Sequence, residues 1–322
     1  MMTSNVPNVR NAAIALISAA AIAGCAGSAS VAGPSVPATS VTSLGARRGW
    51  LSPGATGERL VFVSDNAANA IMIYPQGKKN PSPIGEITDG ISAPLGNFVD
   101  KNGTLYVANS GNGTVTEYPL GSTTPSATLS NYISGPISVA VDREGTVAVG
   151  EFASGMILEF PAGSSSPTVT LSLLSRPEAL AFDRSRHLYA AWNEDAGSGL
   201  TGQVSKCQRL QAVCVDQGMS EGESGGLAID RAGDLILGDQ TNHAINIYAP
   251  GATSPTRTIN TSTHDPYKFE LNSGQTSLYV ADYQNNQVVK YDYATGVQTG
   301  VISAGLQSVW GVSLYPPESY AP

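Results

Sequence analysis

The residues best suited to chemistry recur at one position of the chain, directly after short β-branched and aromatic runs such as Leu105-Tyr-Val-Ala. Six residues occupy that position: Asp65, Asn109, Glu151, Trp192, Asp239 and Asp282. Four of them are carboxylates, and Glu194 and Asp195 follow shortly after the fourth position. If these oxygens converge, they suit Ca²⁺, which takes about 6 to 8 oxygen ligands, or a cationic ligand. The alternative is structural, with each side chain accepting hydrogen bonds from the backbone of its own turn.

Other residue types narrow the chemistry further. Catalytic zinc usually has three protein ligands, often histidines, and the whole chain has only His187, His243 and His264. The phosphate-binding pattern G-x-x-x-x-G-K-[ST] does not occur in the sequence. Its 17 Lys and Arg residues against 25 Asp and Glu residues leave a net charge of −8, which argues against a basic face for nucleic acid. We therefore assign no catalytic residue and expect no nucleic-acid partner.

The candidate positions belong to a repeat. Four segments match without gaps, at 65–81, 109–125, 151–167 and 239–255, each with an aromatic residue 9 positions after its first residue, Gly at 12 and Pro at 16. Between them, Pro94, Pro136, Pro177 and Pro266 each stand six residues before Asp or Asn. The intervening apolar stretches are typical of strands, and Asp followed by Gly three residues later is typical of a type I turn.

Each repeat therefore predicts four short antiparallel strands, which we label a to d. The six a strands are predicted to end at 100, 142, 183, 230, 272 and 315. A period of 40 to 50 residues with four strands is typical of a propeller blade. Strands a and b each occur six times, and the chain begins with b and ends with a, in Trp310–Tyr315. The sequence predicts an all-β, six-bladed β-propeller over 58–316, in which the N- and C-terminal strands share the closure blade, and a tail at 317–322. An aromatic residue near the end of strand c recurs in five units and is expected to pack between blades.

Some of these motifs resemble those of the NHL-repeat family. They are the pattern P-x-x-x-x-x-D, the run Leu278-Tyr-Val-Ala-Asp282 and the segment Asp239-Gln-Thr-Asn-His243, over roughly residues 58 to 316. The resemblance implies a propeller and leaves the function open, because similar propellers serve as protein-binding platforms, calcium-dependent lactonases and lyases. The small number of histidines departs from the pattern of the zinc-dependent lyases.

The N-terminal segment predicts export. Residues Ala12 to Ala23 are an apolar run of the length of a signal-peptide core, and Ile22-Ala-Gly-Cys25 resembles the lipobox of bacterial lipoproteins. The resemblance implies a signal peptide at 1–24 and a lipid anchor on Cys25, with ordinary signal cleavage as the alternative. The segment 25–57 is rich in Ala, Ser, Gly and Pro, which predicts a flexible tether.

The other two cysteines, Cys207 and Cys214, lie in the fourth repeat. Exported proteins form disulfides, so we expect a Cys207–Cys214 disulfide across the hairpin of strands c and d. A metal site or redox dithiol is the alternative, although the spacing is not C-x-x-C and no histidine lies nearby.

These features favour a non-catalytic binding module in the cell envelope. We expect a monomer, anchored in a bacterial membrane by Cys25 or secreted, that binds a protein, peptide or glycan through its b–c and d–a loops. One alternative is a calcium-dependent, lactonase-like hydrolase or lyase that uses the acidic positions as its metal site, and another is a structural or interaction scaffold without a small ligand. No cofactor is certain, and Ca²⁺ is the one that the acidic positions suit.

Overall fold

The computed structural model describes residues 59–172, 176–195, 197, 199–263 and 265–317. The predicted signal peptide, the lipidation site Cys25, the tether, His264 and nearly all of the predicted tail lie outside the described residues. Every regular element in the described part is a strand, so that part contains no apolar helix able to cross a bilayer.

The strands form six four-stranded antiparallel sheets. The first three strands are β1 (Leu60–Asp65), β2 (Ala70–Pro75) and β3 (Gly85–Ile87). Blade 2 contains β4 (Pro94–Val99), β5 (Leu105–Asn109), β6 (Thr114–Tyr118) and β7 (Ala127–Leu129). Blade 3 contains β8 (Pro136–Val141), β9 (Val147–Glu151), β10 (Met156–Phe160) and β11 (Val169–Ser172). Blade 4 contains β12 (Arg176–Phe182), β13 (Leu188–Asp195), β14 (Leu200–Cys207) and β15 (Cys214–Asp216). Blade 5 contains β16 (Ser224–Ile229), β17 (Leu235–Asp239), β18 (Ala244–Tyr248) and β19 (Arg257–Asn260). Blade 6 contains β20 (Pro266–Leu271), β21 (Ser277–Asp282), β22 (Gln287–Asp292) and β23 (Gln298–Ile302), and the last strand is β24 (Val309–Tyr315).

The ring closes between the two ends of the described chain. Strand β24 pairs antiparallel with β1, which gives the closure blade the order β24-β1-β2-β3. The first strand of each blade contacts the first strand of the next, and β24 contacts both β20 and β4. These six inner strands, β24, β4, β8, β12, β16 and β20, surround the centre of the ring. The predicted six-bladed propeller with a shared closure blade is therefore confirmed.

Tight turns connect the inner strands of blades 2 to 6 to the next strand of the same blade, as the sequence predicts. In blade 2 the Asp100 carbonyl accepts a hydrogen bond from the Gly103 N–H at 3.0 Å, and Gly103 has a φ of 83°. The Asp100 Oδ1 also accepts bonds from the backbone N–H groups of Asn102 and Thr104, both at 2.8 Å. This side-chain capping explains why Asp or Asn stands first in every one of these turns.

The blades pack through the aromatic residues that end the third strands. Tyr74, Tyr118, Phe160, Tyr248 and Tyr291 are all at most 1% exposed. The Tyr74 hydroxyl donates to the Ala304 carbonyl at 2.7 Å, and the Tyr118 hydroxyl donates to the Asp89 carbonyl at 2.6 Å. Their predicted packing role is confirmed.

Blade 4 departs from the regular repeat. Its strands β13 and β14 are both eight residues long, whereas the corresponding strands of the other blades have five or six. The predicted disulfide is confirmed: Cys207 and Cys214 lie opposite each other on β14 and β15 and are joined through their sulfur atoms. It links the two outer strands of the one blade whose hairpins are extended.

Candidate functional site

The six predicted site residues lie at equivalent positions of the six blades. Five of them pair with the first residue of their inner strand, and Trp192 pairs with Pro177, the second residue of β12. Asp65, Asn109, Glu151, Asp239 and Asp282 end their strands, as expected. Trp192 does not end its strand, because β13 continues to Asp195 in the extended hairpin of blade 4. All six are buried, with exposures from 0% to 7%.

Three of these carboxylates hold the loop that leads into the inner strand of their own blade, Asp239 through a Gly222 N–H bond of 3.2 Å. The Asp65 Oδ2 accepts from the Gln307 N–H at 2.8 Å, and its Oδ1 accepts from the Ser308 N–H at 3.0 Å. The Glu151 Oε2 accepts from the N–H groups of Ser134 and Gly135, both at 2.9 Å. Asp65 and Glu151 thus each have a structural task, but these backbone groups belong to the d–a loop and not to their own b–c turn, which the structural alternative names.

The other three candidates also have partners nearby, and Asp239 has a further one. The Asn109 Oδ1 accepts from the Ser92 N–H at 3.1 Å, and the Trp192 Nε1 donates to the Ser205 Oγ at 3.1 Å. Asp239 accepts from the Asn242 N–H at 2.9 Å, and Asp282 Oδ2 accepts from two side-chain amides. Within the described residues, no group of three or more His, Cys, Asp or Glu is placed to hold a metal ion. A Ca²⁺ site at these positions stays a prediction.

A different set of residues reaches the centre of the ring. Each inner strand contains a β-bulge just after its first residue, or after its second in β12, where it pairs irregularly with its neighbour. A bulge leaves a residue unpaired and redirects its side chain. The unpaired residues include Leu95, Ile137, Glu178, Gly225, Tyr267 and Trp310. They lie on the side of the ring where the b–c and d–a loops meet, which we call the loop mouth.

Three polar groups at the loop mouth are linked around Glu178. The Tyr267 hydroxyl donates to the Glu178 Oε2 at 3.0 Å, and the Lys268 Nζ donates to the Glu178 carbonyl. Glu178 is only 4% exposed, and burial raises the pKa of its carboxyl although Lys268 and Tyr267 oppose the shift. Burial also lowers the pKa of the Lys268 ammonium to about 8. Buried groups with shifted pKa values in a concave site are typical of functional sites.

Aromatic rings and further carboxylates surround this cluster. Trp310 packs against Tyr267 edge to face, with ring centres 5.2 Å apart, and against Tyr283 with ring centres 4.3 Å apart. Burial and the negative charges of Glu178 and Asp265 raise the pKa of Glu223. The carboxylates are thus close enough to repel one another, a repulsion that a bound cation would relieve.

Below the bulged residues lies a cavity of about 490 Å³. All six inner strands contribute to its lining, which reaches from Lys268 down to the a–b turns. We call the opening at those turns the turn mouth. None of the six predicted site residues lines the cavity, and none of the six bulged residues does. The bulged residues therefore lie above the cavity, at the loop mouth.

The sequence also contains a G-x-S-x-G pattern, at Gly222–Gly226. In hydrolases this pattern places a serine on a sharp turn between a strand and a helix. Here Ser224 begins strand β16 and is 2% exposed, and its N–H donates to the Asn193 Oδ1 at 2.7 Å. The pattern therefore lacks the setting of a nucleophilic serine.

Glu221 provides a pH-dependent contact beside the loop mouth. Burial, together with the nearby Asp239 carboxylate, raises the pKa of Glu221 from 4.5 to about 7, although an Asn246 Nδ2 hydrogen bond of 2.6 Å to its Oε2 opposes the shift. A raised carboxyl pKa means that the folded protein binds a proton that the unfolded chain has released. Its contribution to stability is therefore complete below about pH 4.5 and is lost as the pH rises through 7.

We predict that Glu221→Gln will flatten the pH profile of stability. Between pH 5 and 8 the free energy of unfolding of the wild type should fall by about 1 kcal/mol more than that of the variant, after allowance for solvent screening. Urea denaturation at both pH values measures the difference. Glu159 also has a raised pKa of about 7, because of burial, so only the comparison of the two proteins isolates Glu221. The exposed Glu194→Gln is the control, and parallel profiles for wild type and Glu221→Gln would contradict the prediction.

Comparison with known proteins identifies the fold and no closer relationship. No protein-family model and no curated protein sequence matches the chain. A chain in the crystal structure of a nidogen/laminin complex is similar, with a TM-score of 0.64 and 16% sequence identity over 80% of this chain and 98% of that chain. At this identity the similarity shows the fold alone. The chain is a six-bladed β-propeller, and its resemblance to the NHL-repeat family stays a prediction.

Proposed function

We propose that this chain is an exported, lipid-anchored binding protein whose loop mouth holds a positively charged group of a protein or peptide ligand. Its propeller fold supports an interaction module. The observation that carries the proposal is the cluster of Glu178, Glu223 and Asp265 beside the rings of Tyr267 and Trp310. Carboxylates attract a cation, and aromatic faces stabilise it further by cation–π interaction.

The charges at the loop mouth favour a cation over an anion. Arg176 lowers the pKa values of both Glu178 and Glu223, but its guanidinium also lies 4.9 Å from the ring centre of Phe152. Lys268 is buried and donates to backbone carbonyls, so its charge is turned toward the interior. The ammonium group of lysine or the guanidinium of arginine supplies the positive charge that these carboxylates and aromatic rings attract.

A tetralysine peptide amide tests the ligand class, with tetraglutamine amide as the neutral probe. Titration calorimetry should show binding of tetralysine that Glu223→Gln weakens by about tenfold, the effect of losing one charged contact of about 1.4 kcal/mol. Glu86→Gln makes the same change of charge on the exposed part of β3 and should leave binding unchanged. Equal binding of the two peptides, or equal effects of the two substitutions, would refute the proposed ligand class.

The calcium-dependent hydrolase is the competing function, and thermal denaturation with metal separates the two. A rise in melting temperature with Ca²⁺ that disappears when Asp239→Ala and Glu151→Ala are combined would favour the enzyme. Binding of tetralysine without a Ca²⁺ response favours the binding protein.

Anchoring depends on Cys25, which precedes the described residues. Mass spectrometry of the protein from bacterial membranes should find a diacylglycerol-modified Cys25 at the mature N-terminus. Cys25→Ser should release the protein from the membrane fraction, and an unmodified Cys25 in a membrane-free protein would favour ordinary signal cleavage.

A further inference from the structure

The turn mouth carries a ring of positive charge in an acidic protein. In four successive a–b turns the residue after the leading Asp is basic: Lys101, Arg143, Arg184 and Arg231. All four are exposed, and the first three line the opening of the 490 Å³ cavity. Since the net charge of the chain is −8, this concentration of cations at one end of the channel is a local feature.

The carboxylates of the same turns do not neutralise these cations by ion pairing. Each leading Asp has one oxygen bonded to backbone N–H groups of its own turn. The second oxygen also has a partner in each case: Asn102 for Asp100, Arg209 for Asp142, His187 for Asp183 and Tyr293 for Asp230. Glu270, which also lines the cavity, accepts from the Leu314 N–H at 3.0 Å.

The basic side chains at the cavity opening have no carboxylate partner. Across the described ranges, no ion pair or hydrogen bond involves the side chain of Lys101, Arg143 or Arg184. Arg231 differs, because it donates to the Ser273 carbonyl of the next turn. Three cations without an ionic partner therefore surround one opening, and the carboxylates of Asp142 and Asp183 at the same opening are offset by Arg209 and Lys206.

The cavity behind these cations is mainly apolar. The ends of the inner strands supply Phe98, Val141, Phe182, Ile229 and Leu271 to its wall. Several of these side chains are only half-buried, so they face open space at the centre of the ring. Small-molecule sites are typically apolar cavities of about 300–1,000 Å³ with a few well-placed polar groups.

We propose that the turn mouth binds a small anionic amphiphile. Its carboxylate or phosphate group lies among Lys101, Arg143 and Arg184, and its apolar body fills the cavity behind them. Guanidinium groups suit this task, since their planar donors match both carboxylate and phosphate oxygens. This site lies at the end of the channel opposite to the loop mouth and does not depend on the function proposed there.

Decanoate and decyl phosphate are the probes, with decanamide as the neutral probe of equal chain length. Titration calorimetry should show that at least one anion binds about tenfold or more tightly than decanamide. Combined Arg143→Gln and Arg184→Gln substitutions should weaken anion binding by about tenfold or more. Lys78→Gln with Lys79→Gln removes the same charge from an exposed loop of the closure blade and should leave binding unchanged.

A second variant tests the cavity itself. Ala181 lies in the cavity wall and is half-buried, so Ala181→Trp should fill the space and abolish binding of the ten-carbon probes while the charges stay in place. The loop-mouth variant Glu223→Gln should not change anion binding, which separates this site from the first. The proposal is overturned if no anion binds, if decanamide binds as tightly, or if the Arg143/Arg184 variant retains wild-type affinity.

Discussion

Replacement of Gly311 by alanine is expected to lower the free energy of unfolding by about 3 kcal/mol, at the upper end of the usual cost of overpacking. Gly311 lies in β24, and a Cβ atom there would stand 2.3 Å from the carbonyl oxygen of Leu95 in blade 2. The obstructing atom is backbone, so it cannot rotate away as a flexible side chain can. Relief requires β24 to move away from β4, at the junction where the propeller closes.

Gly300→Ala is the matched control for this measurement. Gly300 is also in a strand, β23, but a Cβ atom there meets nothing nearer than Lys79 Cγ at 4.0 Å. Urea denaturation should therefore show a large loss of stability for Gly311→Ala and almost none for Gly300→Ala. Equal stability of the two variants would show that the closure blade tolerates a wider spacing than the structure indicates.

The same close approach recurs around the ring, which explains why glycines gather near the bulges. A Cβ atom at Gly96 would stand 2.6 Å from the Ile137 carbonyl oxygen, and one at Gly238 would stand 2.5 Å from the Pro266 carbonyl oxygen. In each case the obstructing carbonyl belongs to the next blade. The inner strands thus pack closely enough for the bulged residues to meet above the central cavity.

The number of blades and the closure could be predicted from the sequence because they depend on contacts that repeat. A strand-a end recurs at 100, 142, 183, 230, 272 and 315, and the structure ends its inner strands within one residue of each. The disulfide could be predicted because Cys207 and Cys214 are close in the chain and lie on one hairpin. Local or periodic features of this kind leave a pattern in one sequence.

The candidate site was harder to predict because its residues do not repeat. The bulge position contains Leu95, Ile137, Glu178, Gly225, Tyr267 and Trp310, six different residue types, so a search for recurring chemistry passes over it. The available signal was positional, because three of these residues directly follow the recurring prolines Pro94, Pro136 and Pro177, and Tyr267 follows Pro266. Conversely, Asp65 at the recurring position accepts a hydrogen bond from Ser308, which is 243 residues away in the chain. The sequence alone does not reveal that these two residues are partners.

Lys268→Met is expected to destabilise the fold by about 3 kcal/mol at pH 7, the cost of removing one partner from a buried charged pair. Lys268 is 8% exposed, and its ammonium group donates to the carbonyls of Glu178 and Gly225 and lies 4.3 Å from the ring centre of Tyr267. It also stabilises the ionised form of Glu178. Without it, the Glu178 carboxyl is left buried with less compensation, and two carbonyls lose a donor.

A double-mutant cycle with Glu178→Gln measures how much of this cost is coupling between the two charges. If the pair acts as a unit, the double variant should be at least about 1 kcal/mol more stable than the sum of the single losses predicts. Lys290→Met is the control, because the Lys290 ammonium lies 5.5 Å from the Tyr279 ring centre but at a half-buried position of β22. Its loss should cost well under about 1 kcal/mol.

The dependence on pH distinguishes a buried ammonium group from a side chain that merely fills space. Burial lowers the pKa of Lys268 to about 8 from 10.5, so between these values the folded protein binds fewer protons than the unfolded chain. The stability of the wild type should therefore rise with pH over this range through Lys268, and Lys268→Met should lack that rise. The difference between the two proteins should then widen from pH 8 to pH 10. A constant difference would mean that Lys268 is an ordinary solvated lysine, and a stability of Lys268→Met equal to that of wild type would remove it from the loop-mouth cluster.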